Sequence, residues 1–272
     1  MIELADARTV ECRLDHVTLH GVSMGSGPLA LAFHGITANA YVFLPLMERL
    51  ADRFRVVSFD QRGHGRSGKP ASGYTAADFA TDVEALVASL GGGPALLIGH
   101  SLGARNALVA AARSPALVSG VIAVEFTPFI EGDVFDALES RVGAGDQTFA
   151  DVEAIGRYLR QRYPLLPSDA IDRRAKYGYI ELEGGWRPLA DPAAMRQTAA
   201  GLREEFEASV TGISVPTLLV RGAESKLVSP AAWARTRALR PDLPAIEIPG
   251  ADHYAIEEAP AAIAGEIRRF VS

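Results

Sequence analysis

The chain has 272 residues, 48% of them hydrophobic and 22% charged, with 26 Gly, 16 Pro and a single Cys, an ordinary globular composition on a chain long enough to bury a core. The 33 acidic and 27 basic residues give a formal charge of -6 without any stripe of like charge, which excludes the electrostatic footprint of a nucleic-acid binder. Cys12 has no second cysteine to pair with, so a disulfide framework and a thiolate metal site are excluded and a reducing cytoplasm is the expected compartment.

In chain order, the first residues carry no basic segment followed by an apolar one, and no stretch reaches about 18 consecutive apolar residues, so neither a signal peptide nor a membrane span is expected. Short apolar runs bounded by Gly, Pro, Asp and His predict strands at Leu29 to Phe33, Phe54 to Phe59, Leu96 to Gly99, Val118 to Val124 and Val215 to Val220, with weaker ones at His16 to Val22 and Ala245 to Ile248. Apolar residues at three- and four-residue spacing predict helices at Phe43 to Leu50, Ala76 to Leu90, Leu102 to Arg113 and Pro260 to Phe270. Strand and helix alternate as in a mostly parallel, right-handed βαβ series.

The alternation stops from about Phe126 to Gly212, where helical patterns at Val134 to Val142, Phe149 to Arg162 and Ala193 to Phe206 contain no convincing strand. An insertion this long is more than a connection. Following one strand and preceding another, it belongs over the C-terminal edge of the sheet, where open α/β sheets bind ligands. The expected division is therefore a core of residues 1–127 and 213–272 with a helical cap at 128–212.

Gly99-His100-Ser101-Leu102-Gly103 is a G-x-S-x-G directly after a strand and directly before a helix. Such a sharp turn needs small residues two positions either side of the serine and leaves its hydroxyl exposed above the sheet. A hydroxyl is a poor nucleophile until a base takes its proton. Of six histidines, His253 follows the last strand and precedes the last helix, on the sheet edge that carries Ser101. His34 ends a strand and shapes a turn, a structural role is favoured over base catalysis for His64 and His100, and His16 and His20 read as surface. The backbone N–H groups of Ile36 and Leu102 are the candidate oxyanion donors.

His34-Gly35, Asp60 to Ser67, Gly99 to Gly103 and Gly250 to His253 together resemble the α/β-hydrolase fold family over essentially the whole chain. The resemblance implies an eight-stranded, mostly parallel sheet, a helical cap and a Ser-His-acid triad with no cofactor. The common family pattern has an Asp in a stretch like R-G-x-x-S-D, but here the stretch is Arg221-Gly222-Ala223-Glu224-Ser225-Lys226, and a lysine cannot accept the imidazole N–H. Glu125, immediately after the strand that follows the nucleophile helix, is the preferred acid. Glu224 and Asp252 are its competitors.

In the insertion, Arg141 follows Leu138 and Ala137, and Arg162 follows Leu159 and Tyr158, at three and four residues, so each guanidinium shares a face with apolar residues. An anionic partner is required, either a substrate carboxylate met bidentately or an internal salt bridge to Glu131, Asp136 or Asp169. Arg157, Arg160, Arg173 and Arg174 read as solvated helix surface. The stretches Ser101 to Asn106, Glu125 to Glu131, Arg187 to Ala190 and Ser225 to Ser229 resemble the branch of the family that opens an enamide on a small dicarboxylate. That resemblance implies Ser101, Glu125 and His253 as triad and Arg141 and Arg162 at positions matching basic residues of that branch's cap; His100, next to the nucleophile, is a further candidate substrate contact. Glu125 departs from that branch, whose acid is the shorter Asp.

The expected activity is hydrolysis of an amide or ester in a small carboxylate-bearing molecule. Carboxylester cleavage, cofactor-free carbon–carbon cleavage of ring-fission diketones and a non-catalytic binding module use the same motifs and stay open. Dehalogenation is disfavoured, because it needs a carboxylate where Ser101 stands. Neither nucleic acid nor a membrane is an expected partner, and monomer and homodimer are both compatible with the sequence.

Overall fold

The computed structural model describes residues 7–91 and 93–272. Among these residues there are ten strands: β1 Arg8–Arg13, β2 Thr18–Met24, β3 Leu29–Phe33, β4 Arg55–Phe59, β5 Ala95–His100, β6 Val118–Val124, β7 Tyr179–Leu182, β8 Gly185–Pro188, β9 Thr217–Gly222 and β10 Ala245–Ile248. Eight of them make one sheet in the order β1-β2-β4-β3-β5-β6-β9-β10. The β1–β2 and β2–β4 pairs are antiparallel and the remaining pairs parallel. Every strand expected from the sequence is present, shifted by no more than two residues at its ends.

The central strands are continuous apolar runs because the sheet is covered on both faces. Side chains alternate across it. Leu31, Leu97 and Val121 pack with Val83 and Leu108 on one face, whereas Ala32, Ile98 and Ile122 pack with Met47, Leu50 and Ile267 on the other. Helix Ala76–Ser89 starts with a capping box formed by Thr75 and Asp78, and helices Leu102–Arg113 and Pro260–Phe270 keep the bounds read from the sequence.

Between β6 and β9 the chain leaves the sheet and forms helices Gly132–Gly143, Val152–Arg162, Ser168–Gly178, Pro192–Gly201 and Glu207–Thr211. The expectation that this insertion holds no strand is corrected by the antiparallel β7–β8 hairpin. Backbone bonds of Phe149 with Trp186 extend it. Ile180 and Leu182 are exposed, so β7 carries none of the buried apolar signature by which strands are read. One cluster of the insertion, around Ile155, Leu159, Tyr163 and Ile171, is internal to it. A second joins Val142 and Met195 to Leu102 of helix Leu102–Arg113. Phe206 and Val210, by contrast, pack with the sheet's own core. No helix among the described residues is long and apolar enough to cross a membrane.

Candidate active site

β5 ends at His100, and Ser101 turns the chain into helix Leu102–Arg113 with φ 53° and ψ −116°, a left-handed conformation costly for a side-chain-bearing residue. The flanking glycines are forced by contact rather than by flexibility. A Cβ on Gly103 would lie 2.0 Å from the Phe33 carbonyl oxygen, and one on Gly99 would lie 2.4 Å from the Ala104 nitrogen. Ser101 lines one cavity together with Ile36, His100, Arg141, Arg162 and His253. No hydrogen bond joins the Ser101 hydroxyl to His253 in this state; bonds of this kind tighten when substrate binds.

Glu125 is the first residue after β6, also at positive φ (59°), and this strained geometry turns its side chain toward the last strands. The carboxylate is 1% exposed. Its Oε2 contacts His253 Nδ1 at 3.0 Å and accepts the Ser225 hydroxyl at 2.6 Å, while Oε1 accepts the Gly222 N–H at 2.5 Å. A carboxylate accepts from Nδ1–H, which leaves Nε2 as the free base. Glu224 and Lys226 are exposed. Asp252 turns its oxygen to the His253 backbone N–H at 2.7 Å, not to the ring. Ser225 and Gly222, which sequence reasoning missed as partners of the acid, sit in the loop that carries the usual Asp, so the long Glu125 side chain reaches into the place that the sequence leaves without an acid.

The remaining histidines are structural in geometry. His34 Nε2 accepts the Gln61 N–H at 3.0 Å and Nδ1 therefore donates to the Gly35 carbonyl at 2.8 Å. His64 Nδ1 bonds to the Arg62 carbonyl at 2.9 Å. His100 Nε2 donates to the His253 carbonyl at 2.6 Å, so it props the histidine loop from the cavity wall. Burial pushes His64 down to about 4 and holds His34 and His100 well below the ordinary histidine value. The segment Asp60 to Ser67 is a buttress: Asp60 accepts the Ala40 and Arg66 N–H groups at 2.7 and 2.8 Å.

The Ile36 and Leu102 N–H groups are engaged by no other group among the described residues. Ile36 precedes Thr37, which is at φ 64°, and Leu102 opens helix Leu102–Arg113. Ile36 lines the same cavity as Ser101, and Leu102 is the next residue along the chain from it.

Arg141 and Arg162 lock one another. Arg162 Nη2 donates to the Arg141 carbonyl at 2.7 Å and Arg141 Nη2 to the Arg162 carbonyl at 3.1 Å. Arg162 also reaches the Tyr158 and Tyr163 hydroxyls at 2.8 and 3.2 Å. The internal salt bridges weighed for this pair are absent: Glu131 accepts from Ser229 at 2.6 Å, Asp136 pairs with Arg203 at 2.6 Å and Asp169 with Arg173 at 3.0 Å. Both cations thus face the cavity without a carboxylate partner among the described residues.

The reading of Arg173 and Arg174 as solvated is corrected. Each is only 6% exposed. Arg174 Nε donates to Glu257 Oε2 at 3.0 Å, with a second bond from Nη2, and its guanidinium lies 4.5 Å from the Tyr163 ring centroid. Glu257 lies 83 residues further along, so no local spacing reveals the pair. Arg157 and Arg160 are exposed as expected.

The sequence profile of the alpha/beta hydrolase fold matches residues 28–166. The chain is 51% identical to 2-(acetamidomethylene)succinate hydrolase of Mesorhizobium japonicum over 271 residues, covering 99% of this chain and 98% of the relative. The crystal structure of E-2-(acetamidomethylene)succinate hydrolase superimposes with a TM-score of 0.94 at 52% identity, covering 97% of this chain and 99% of that one. A thioesterase domain from the curacin biosynthetic pathway, 25% identical, gives a TM-score of 0.84 over 96% of this chain and 99% of that one.

Proposed function

The chain belongs to the alpha/beta hydrolase fold family and is a hydrolase, and from that premise we propose that it cleaves the amide bond of (E)-2-(acetamidomethylene)succinate, or of a close dicarboxylate, through an acyl-serine. Residues 128–212 serve as the cap that supplies the substrate's charge partners. The substrate's carboxylates meet Arg141 and Arg162, whose planar guanidinium groups recognise carboxylates bidentately, and His100 lines the wall beside them.

His253 Nε2 takes the Ser101 proton as Oγ attacks the acetamide carbonyl carbon. The carbonyl oxygen becomes an oxyanion between the Ile36 and Leu102 N–H groups. The imidazolium is stabilised by the Glu125 carboxylate against its Nδ1–H. As the tetrahedral intermediate collapses, the carbon–nitrogen bond breaks, His253 returns the proton to the departing nitrogen, and an acetyl-serine remains. Water, deprotonated by the same histidine, then releases acetate and restores Ser101. Glu125 performs the role usually given to Asp because its extra methylene is taken up by bonds to Gly222 and Ser225.

The observation that carries this reading is the pair of carboxylate-free guanidinium groups in the cavity that also holds Ser101 and His253. The test is turnover of matched acetamides with two, one and no free carboxylates. A decline in kcat/KM along that series supports the reading, and equal turnover of all three removes the dicarboxylate from it.

A further inference from the structure

Gln61 is buried at 4% exposure and Asn106 at 0%, and neither touches the cavity around Ser101. A buried side-chain amide is costly unless its donors and acceptors are paired, and these two are paired to one another and to their neighbours. Gln61 Nε2 donates to the His34 carbonyl at 2.6 Å. The Gln61 backbone N–H donates to His34 Nε2 at 3.0 Å. Asn106 Nδ2 donates to Gln61 Oε1 at 2.7 Å, and Asn106 Oδ1 accepts from Arg105 Nε at 3.0 Å.

The two ends of this chain of bonds are informative. His34 lies two residues before Ile36, and Asn106 lies one helical turn after Leu102, on the same side of the nucleophile helix. The network therefore spans the gap between the two backbone segments whose N–H groups face the nucleophile. Resting on the reading of Ile36 and Leu102 as oxyanion donors, we infer that Gln61 and Asn106 are positioning residues that set the distance between those donors. The bonds are fully desolvated, so they hold the segments more stiffly than exposed bonds would. The chain continues outward: Arg105 Nη1 donates to the carbonyl of Gly201 at 3.0 Å, at the C-terminus of cap helix Pro192–Gly201. The cap is thereby tied to the same network.

The test compares wild type with Asn106→Leu and Gln61→Met, which keep side-chain size and remove the amide bonds. For each, kcat and KM on the dicarboxylate acetamide are measured beside the affinity for two inhibitors. One is a boronic acid that loads the oxyanion position, and the other is succinate, which loads only the cap arginines. The expected result is a fall in kcat and in boronate affinity of about 10- to 100-fold, the scale of a small misplacement of reacting groups, with KM and succinate affinity within about twofold, since those report binding common to ground and transition states. Unchanged kcat, or a parallel loss of boronate and succinate affinity, overturns the inference. So does loss of cooperative unfolding in both variants, which makes the network a folding element. If wild type itself fails to turn over the acetamide, or Ser101→Ala keeps its activity, the proposed function fails instead.

Discussion

The Glu125 carboxylate meets Nδ1 of His253 at 3.0 Å although 128 residues separate the two. Both ends are held: the carboxylate by Gly222 and Ser225, the histidine loop by His100. Glu125→Gln keeps the shape but presents an amide that favours the wrong imidazole tautomer, and kcat is expected to fall about 10³- to 10⁴-fold. Glu224→Gln, at an exposed position, is expected to leave kcat unchanged. Steady-state kinetics on the two variants decide the acid, and the opposite ranking would remove Glu125 from the mechanism.

Replacing Arg141 or Arg162 by Ala removes a charge-assisted contact worth about 1.5–3 kcal/mol, so kcat/KM for the dicarboxylate acetamide is expected to fall about 10- to 100-fold. A neutral ester of similar size is expected to be turned over as by wild type. The pair of substrates is the check, since equal losses on both would point to collapse of the inserted helices rather than lost recognition.

The Arg174–Glu257 pair joins the inserted helix Ser168–Gly178 to helix Ala255–Glu258 just after His253. Glu257→Gln leaves a buried guanidinium without its counter-charge, and breaking such a pair costs about 3–5 kcal/mol. The expected result is a urea midpoint lowered to match, with activity lost earlier in the titration than the unfolding of the sheet. An unfolding free energy within about 0.5 kcal/mol of wild type would contradict that role for the pair.

Three buried histidines make stability depend on pH. Burial holds His34, His64 and His100 below their ordinary value, His64 at about 4. Unfolded, they take up protons below about pH 6.5. The folded chain binds fewer protons there, so its stability is complete above that value and declines as pH falls toward about 4, by up to about 1.4 kcal/mol per pH unit for each histidine. Urea midpoints measured across that interval should fall steadily with pH. A flat profile would mean that these rings protonate without unfolding.

Which parts of this molecule are legible in its sequence follows from how each part is stabilised. β3, Ala95 to Ile98 of β5 and Val121 to Val124 of β6 are buried on both faces and are written as unbroken apolar runs. The elbow is written as two glycines because Phe33 and Ala104 leave no room for side chains. Glu125 is legible by a different route, as a carboxylate at a strand end in a chain that has Lys226 where an acid is usual. The β7–β8 hairpin is not legible, because exposed strands need no apolar pattern. Arg173 and Arg174 mislead for a related reason: local spacing treats charges as solvated, and their burial depends on Glu257 from a distant helix. The Gln61–Asn106 bond is silent in sequence as well, since a paired amide and a solvated one are spelled alike.

The measurement that tests the central claim most directly is release of acetate from (E)-2-(acetamidomethylene)succinate by wild type and by Ser101→Ala, with rapidly quenched wild type digested and its peptides weighed. The account predicts acetate release, an acetyl group on the peptide containing Ser101, and a loss of more than about 10³-fold in the variant. Turnover that survives Ser101→Ala, or an acetyl group on any other residue, would contradict it.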